Sequence, residues 1–495
     1  MNTSLGPKPT DGTEWGMADT LAHSSGPSVQ DLLARDSRPV PPALRDHSTV
    51  DCGTAEVPKS RYTSSEFAAL ENEYLWRSTW QMACHIDDLP SPGSHVVYDV
   101  ADESVIVTRT RDGEIKAFFN ACLHRGTKLR TDDGRVASFR CPFHGWTWDL
   151  DGRLTEVPAQ WDFVHFTEGT GSTCLPEAHV ATWGGFVFVN FATNVEPFER
   201  YAGKLIEHFG DFDMENRYIA FHAVKEVPAN WKVVMEAFAE AYHVIATHPQ
   251  ILGFCADENS EYSIWPTDPY VTRFTNSFGV GSPHMGATSE QTVADAYLRF
   301  YRGRKGVEAD SAVELETDEA ARPAMAQFLR ERMAPIYGVE LNDTSDAELL
   351  DAVLYHLFPA FAPWAGIGQS LVYRWRPGRT PDTSFMDVIR MQPVPVGEPR
   401  PDRAPMTVLN AHQEWKEAPG MGGLADVFAQ DMENLPKVQA GLKSRGKSTV
   451  TFSRYQEGRM RHIHRLIDAR ILAGLASDGR DRSVVEPFLI VGTLV

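Results

Sequence analysis

Two short stretches limit what this chain can fold into more than any other part of it: Ala121-Cys122-Leu123-His124-Arg125-Gly126 and Arg140-Cys141-Pro142-Phe143-His144-Gly145-Trp146. Each carries one cysteine and one histidine, spaced C-x-H and C-x2-H, with 16 residues between His124 and Cys141. Two thiolates on one iron and two imidazoles on the other is the ligation of a mixed [2Fe–2S] cluster, and neutral imidazoles raise its reduction potential above that of all-cysteine clusters. The glycine after each histidine lets the loop turn tightly and brings backbone N–H groups near the sulfurs. The alternative is a structural Cys2His2 zinc site. Such sites usually pair Cys with Cys and His with His, whereas both halves here are mixed. Residues 95–190 around the loops read as an all-β module: 96–100 and 104–108 are β-rich, Asp112-Gly113 and Asp151-Gly152 are hairpin signals, and 183–191 is a further aromatic and β-branched run.

At 495 residues the chain exceeds one comfortable core. Residues 1–58 read as a loosely packed, flexible arm, with a short helix at 29–35 stopped by Pro39, Pro41 and Pro42. Residues 59–195 form the β module with a leading helix at 65–76; 196–475 form a second domain and 476–495 a tail. In the second domain, strands are expected at 218–224, 370–375 and 384–391, a helix face at Met325, Phe328, Leu329 and Met333, and a capping box at Ser345. An antiparallel sheet backed by helices makes the whole an α+β protein. The net charge of −20 argues against nonspecific binding to nucleic acid or anionic membranes. No run approaches about 20 apolar residues, and the start lacks a secretory pattern. Six cysteines are too few for a disulfide scaffold, so the expectation is a reducing cytoplasm. Cys52, Cys84, Cys174 and Cys255, without ligand-spaced partners, are read as buried or inert thiols.

A second constellation lies in Asn230-Trp231-Lys232-Val233-Val234-Met235-Glu236-Ala237-Phe238-Ala239-Glu240-Ala241-Tyr242-His243-Val244-Ile245-Ala246-Thr247-His248-Pro249. Asn230 caps a helix running towards His248, with Glu236, Glu240 and His243 on one stripe. Mere amphipathicity gives the same stripe. His248, however, follows His243 by five residues, so a regular helix would point the two about 140° apart. Pro249 disfavours helical geometry at His248, and a distorted end can swing both imidazoles onto one metal. Two histidines and a carboxylate are the facial triad of mononuclear iron(II) oxygenases.

The Cys-Leu-His-Arg-Gly and Cys-Pro-Phe-His-Gly-Trp segments resemble the Rieske domain of the Rieske non-haem iron oxygenases (aromatic-ring-hydroxylating type), large or α subunit. The resemblance runs from Arg61-Tyr62 to about Arg470. It implies an all-β Rieske [2Fe–2S] domain, with ligands Cys122, His124, Cys141 and His144, followed by a helix-grip catalytic domain. His243 and His248 match the two histidines of a mononuclear non-haem Fe(II), and Asp431, in Ala429-Gln430-Asp431-Met432-Glu433-Asn434, matches the third ligand. Read without the resemblance, Asp431 is an ordinary helical acid with Glu433 and Asp426 nearby. Glu240 matches the carboxylate that joins the iron site to a Rieske histidine of the neighbouring subunit; most relatives have Asp there. His462 and His464 are read as structural.

The resemblance further implies a terminal oxygenase that uses O2 and a small organic substrate. Its electrons come from an NAD(P)H-dependent reductase, with or without a ferredoxin, because no G-x-G-x-x-G motif sits between a strand and a helix. A homotrimer is expected, with room for a small β subunit. Hydroxylation of an aromatic or other hydrophobic compound is the first expectation, drawing on Phe254, Phe274, Phe278, Phe358, Phe361 and Trp364. Oxidative N- or O-demethylation and quaternary-ammonium monooxygenation are alternatives. Residues 301–352 read as a lid or insertion. The rival class, a Rieske electron-transfer protein, needs only the β module and leaves about 300 residues unexplained.

Overall fold

Alternating side chains and glycine turns set the β module first. In the computed structural model, which describes residues 26–167, 173–210, 212–368 and 370–490, strands Ser94–Val100, Glu103–Arg109 and Ile115–Phe119 pair antiparallel in sequence. The second hairpin turns at Asp112-Gly113, where Gly113 has φ +93°. The run expected at 183–191 is two strands, Glu177–Trp183 and Phe186–Asn190. Gly184 and Gly185, at φ +58° and +81°, give the left-handed turn between them that other residues resist. With Gln81–His85 and Gly134–Arg135 these strands make one seven-stranded sheet. A smaller sheet of Phe139–Arg140, Thr147–Trp148 and Leu154–Glu156 stands apart on its own core of Ile106, Phe118, Phe139, Trp146 and Trp148, in which Cys122 and Cys141 are also buried.

The second half is an eight-stranded sheet in the order Glu261–Ile264, Val271–Asn276, Ala352–Leu357, Phe361–Pro363, Leu371–Pro377, Ser384–Pro393, Arg217–Val227, Met406–Leu409. Only the last pair is parallel. Strand alternation gives the sheet two jobs. Tyr373 and Trp375 lie against Phe238, on the face that carries the helices Trp231–Ala237 and Leu424–Leu442. Arg374 points the other way: its guanidinium pairs with buried Asp387 and donates to the carbonyls of Met82 and Ala83 in the β module. The two halves are thus joined by fully satisfied polar contacts as well as by aromatic packing of Phe361 on Phe186 and Phe188.

Packing corrects the expected segmentation. Over its described part the arm is not loose: Val29, Leu33, Ala43, Leu44 and Val57 are buried. Asp36 pairs with Arg322, and residues 57–58 form a strand with 449–450. Residues 1–25 lie outside the described part. The leading helix packs not on the β module alone but on the last helix, Gly458–Ser477. Tyr74 approaches so closely that a Cβ at Gly474 would meet its ring at 2.1 Å, and Phe67 packs on Phe488. The tail is likewise held, with Val485, Phe488 and Ile490 buried. The charged 301–352 stretch holds the helix Ala321–Tyr337, whose Met325, Leu329 and Met333 are core residues, and Arg322 pairs with buried Asp351. The aromatic residues Phe254, Phe274, Phe278, Phe358 and Phe361 are buried in the core. Of the four spare cysteines, Cys174 is at the surface and the others are buried. Among the described residues no helix is long and apolar enough to cross a membrane.

Two buried histidines make stability pH-dependent. Burial holds His356 at about 3 and His462 at about 4, against 6.5 when exposed. The unfolded chain takes up protons at both as pH falls through 6.5, and the native state does not. This part of the stability is complete above pH 6.5 and is lost progressively towards pH 4. Thermal unfolding recorded from about pH 7.5 to 5 should show the midpoint falling, and replacing His356 with Phe should flatten that fall.

Candidate metal centres

The two Cys-His loops are closed in the same way. Gly126 N donates to Cys122 O and Gly145 N to Cys141 O; Cys122 N donates to Thr127 O and Cys141 N to Trp146 O. Each loop therefore reverses at its glycine, with φ +77° at Gly126 and +78° at Gly145. The backbone N–H groups of His124 and Arg125 point at the Cys122 sulfur, and those of Phe143 and His144, with the Thr127 hydroxyl, at the Cys141 sulfur. Burial alone would raise the Cys141 thiol, but these donors overcome it and lower it. Hydrogen bonds to sulfur are what a thiolate-bound cluster uses to tune its potential. The imidazoles of His124 and His144 lie edge to face, 4.6 Å between centroids, and His124 stacks on Trp146. His124 Nδ1 is buried without a hydrogen-bond partner. An orphaned ring nitrogen, two donor-supplied sulfurs and a second histidine beside them fit a [2Fe–2S] cluster.

The second site is built by a break in a helix. The helix capped by the Asn230 side chain ends at Ala237, not near His248 as the sequence suggests, and only the single turn Val244–Thr247 resumes it. The irregular stretch between them frees His243 from helical phase. One oxygen of Glu240 accepts from His243 N at 2.9 Å; the other lies 2.6 Å from His243 Nδ1. The ring's Nδ1–H is therefore given to Glu240 and Nε2 faces inward, 3.7 Å from an oxygen of Asp431. Burial disfavours charge on His243, but Glu240 and Asp431 outweigh it and raise its pKa. His248 Nε2 lies 3.0 Å from the same Asp431 oxygen. Ligand atoms of His243, His248 and Asp431 all fall within 4.8 Å of one another, so these three could hold a metal ion. Asp431 comes from the helix Leu424–Leu442, across the site.

One contributor escaped the sequence. Gln430 Oε1 accepts from His248 Nδ1 at 2.8 Å and is held by Gln250 Nε2 at 2.7 Å, which fixes the tautomer of the second histidine as Glu240 fixes the first. Its only signal was its place beside Asp431. His462 bonds the carbonyl of Pro269 and takes no part, whereas His464 lies 2.9 Å from Glu236. A second group, Asp46, Glu207 and His208, also brings its atoms within 4.8 Å, but the Lys204 ammonium already occupies both carboxylates.

Comparison with known proteins matches two family models to the chain. Residues 79–167 match the Rieske [2Fe-2S] domain, and 207–473, more than half the chain, match the ring hydroxylating alpha subunit catalytic domain. The chain belongs to the ring-hydroxylating oxygenase alpha-subunit family. Among similar proteins, the glycine betaine monooxygenase oxygenase subunit of Pseudomonas aeruginosa is 30% identical over 213 residues, 42% of this chain and 47% of that protein. The carnitine monooxygenase oxygenase subunit of Acinetobacter pittii is 32% identical over 213 residues, 42% and 56%. The anthranilate 1,2-dioxygenase large subunit of Acinetobacter baylyi is 30% identical over 203 residues, 40% and 43%. The chain spans about half the length of the curated relatives it matches. The fold is shared with a quaternary ammonium Rieske monooxygenase, TM-score 0.58 at 20% identity over 84% of this chain and 95% of that one. It is also shared with naphthalene 1,2-dioxygenase from Rhodococcus, TM-score 0.56 at 18% identity over 85% and 95%.

Gln430→Leu removes the acceptor that orients His248 while leaving all three candidate ligands in place. Affinity for Fe(II), measured by titration of metal-free protein, should fall about 10–100-fold, with the visible spectrum of the cluster unchanged.

Proposed function

We propose that this chain is the terminal oxygenase of a multicomponent Rieske system. Cys122, His124, Cys141 and His144 would hold the cluster, and His243, His248 and Asp431 a mononuclear iron. The observation that carries this reading is the convergence of two imidazoles, from the two ends of the turn Val244–Thr247, with one carboxylate from the helix Leu424–Leu442, in a chain that also carries a Rieske-type module. When bound, the cluster supplies electrons one at a time and the iron activates O2 next to substrate. The overall balance takes O2, two electrons and two protons, and leaves one oxygen atom in the product and one in water. The chain's own residues set the conditions. Glu240 and Gln430 each hold an Nδ1–H, so both histidines offer Nε2 towards Asp431. The electrons come from NAD(P)H through a separate reductase, with or without a ferredoxin.

For the substrate we favour a quaternary ammonium compound over an aromatic hydrocarbon. Glycine betaine and carnitine monooxygenase subunits are among the similar proteins. The resemblance adds that Glu at the position of Glu240, in place of the usual Asp, also occurs in relatives acting on such compounds. Phe238, Tyr373, Phe428 and Trp415 form a contiguous, largely buried aromatic cluster reached through Phe428, three residues before Asp431 on its helix, and aromatic faces attract cations. The aromatic reading keeps support from anthranilate 1,2-dioxygenase. Loaded protein should contain about three irons per chain. Supplied with a reductase, it should consume O2 with betaine- or carnitine-type substrates and yield a mono-oxygenated or dealkylated product. A cis-dihydrodiol from an aromatic panel, with no turnover of ammonium substrates, would reverse the preference. Two irons per chain and no O2 uptake would make the chain an electron carrier.

Assembly is part of the proposal. Inter-subunit electron transfer is described for a solved quaternary ammonium Rieske monooxygenase, and Glu240 matches the residue at that junction. In a homotrimer the contacts run head to tail and close. Cys122→Ser and His243→Ala chains, each inactive alone, should regain about a quarter of wild-type activity when co-expressed, because random mixing gives one working junction in three quarters of the trimers. Dead mixed trimers would confine electron transfer to one subunit.

A further inference from the structure

Glu236 lies one turn before Glu240, is buried, and takes no part in the metal centre. Its carboxyl accepts from the Tyr62 hydroxyl at 2.9 and 3.2 Å and lies 2.9 Å from His464 Nε2, while Tyr62 Oη and His464 Nε2 are themselves 2.9 Å apart. Arg61 fixes the proton on this histidine. Its Nε donates to His464 Nδ1 at 3.1 Å, and a guanidinium does not give up its protons, so Nδ1 is an acceptor and neutral His464 carries its hydrogen on Nε2, towards Glu236. Arg61 is in turn locked by Asp468 and by the carbonyls of His464 and Phe488. The three members come from the turn Ser60–Thr63, the helix Trp231–Ala237 and the helix Gly458–Ser477.

This cluster sits where the helix breaks. Just past the helix end Phe238 N donates to Met235 O and Ala239 N to Glu236 O, each at 3.0 Å, and Arg459 of the last helix donates to Ala239 O at 3.1 Å. The last helix therefore grips the break twice, through the Glu236 side chain and through the Ala239 carbonyl. Four residues later the stretch delivers His243. We infer that Glu236, held by Tyr62 and His464, is a positioning residue that sets where the break begins and hence where His243 and its partner Glu240 stand. The inference rests on the reading of His243, His248 and Asp431 as iron ligands.

The carboxyl is also a titrating one. Burial raises its pKa to about 8, against the Tyr62 hydrogen bond and the Lys232 and Arg61 charges and with the help of Glu457. Of the other charged groups acting on it, Lys232 is paired with Glu71 and Arg61 with Asp468, while Glu457 accepts from Ser453 N. Below pH 8 the carboxyl holds a proton between two hydrogen-bond donors; above it, the carboxylate accepts from both.

The test uses full-length protein with its cluster in place and the mononuclear site titrated with Co(II) between about pH 7 and 9.5. In wild type, Co(II) affinity and its visible spectrum should change with a midpoint near 8. Glu236→Gln should lose that transition. Tyr62→Phe should move it upward, since the lost donor favours the carboxylate. Glu236→Asp, withdrawn by one methylene, should keep a transition but bind Co(II) about tenfold more weakly. Unchanged near- and far-ultraviolet circular dichroism of each variant shows that it has folded. Wild-type affinity and an unmoved transition in Glu236→Gln overturn the positioning role. Infrared spectra without Co(II) read the proton separately: a carboxylic-acid band that disappears near pH 8 in wild type and is absent from Glu236→Gln supports the assignment, and its persistence in Glu236→Gln overturns it. Wild type that binds no more Co(II) than His243→Ala would instead remove the iron-site reading, and this inference with it.

Discussion

Two imidazoles five residues apart cannot meet on a regular helix, and the iron-side half of this protein is arranged around the way the chain escapes that constraint. The helix from Trp231 stops at Ala237, and the residues up to Val244 take their shape from contacts with distant parts of the chain rather than from helical hydrogen bonds. Arg459 holds one carbonyl of the break, Tyr262 accepts from Ala241 N, and Glu240 satisfies both the backbone and the ring of His243. Free backbone groups in a buried segment are costly, so each of these contacts is needed for the break to exist.

The sheet behind the site builds this local solution into a two-domain architecture. Its helix-facing side carries the aromatic cluster near Asp431. Its reverse side carries Arg374 and Asp387, buried and mutually paired, with Arg374 also capping two carbonyls of the β module. A buried ion pair of this kind adds little stability relative to apolar residues of similar volume, but breaking one partner is expensive. The pairing therefore fixes the register of the two halves more than it strengthens the fold.

Chemistry was more legible in the sequence than geometry. The Cys-His loops stood out because their donor types and glycines have few other uses, and Asp112-Gly113 and Asp151-Gly152 marked two of the β turns. The helix break was half visible: Pro249 announced a distortion at His248, but the actual end at Ala237 depends on Tyr62, Arg459 and His464, hundreds of residues away in sequence. The same non-local packing hid Gln430, which differs from any surface glutamine only by what stands opposite it. It also made the arm from residue 26 onward look loose, because its partners Arg322 and Asp346 lie about 300 residues later.

That dependence on late residues gives the two metal centres different histories during synthesis. Everything that shapes the Cys-His loops lies between Gln81 and Asn190 and can close on itself once that segment has left the ribosome. The other centre must wait for Asp431 and then for the helix at Gly458–Ser477 that grips the break. A growing chain therefore has all the residues of the Cys-His site in hand, able to fold together, well before those around His243, His248 and Asp431 can come together.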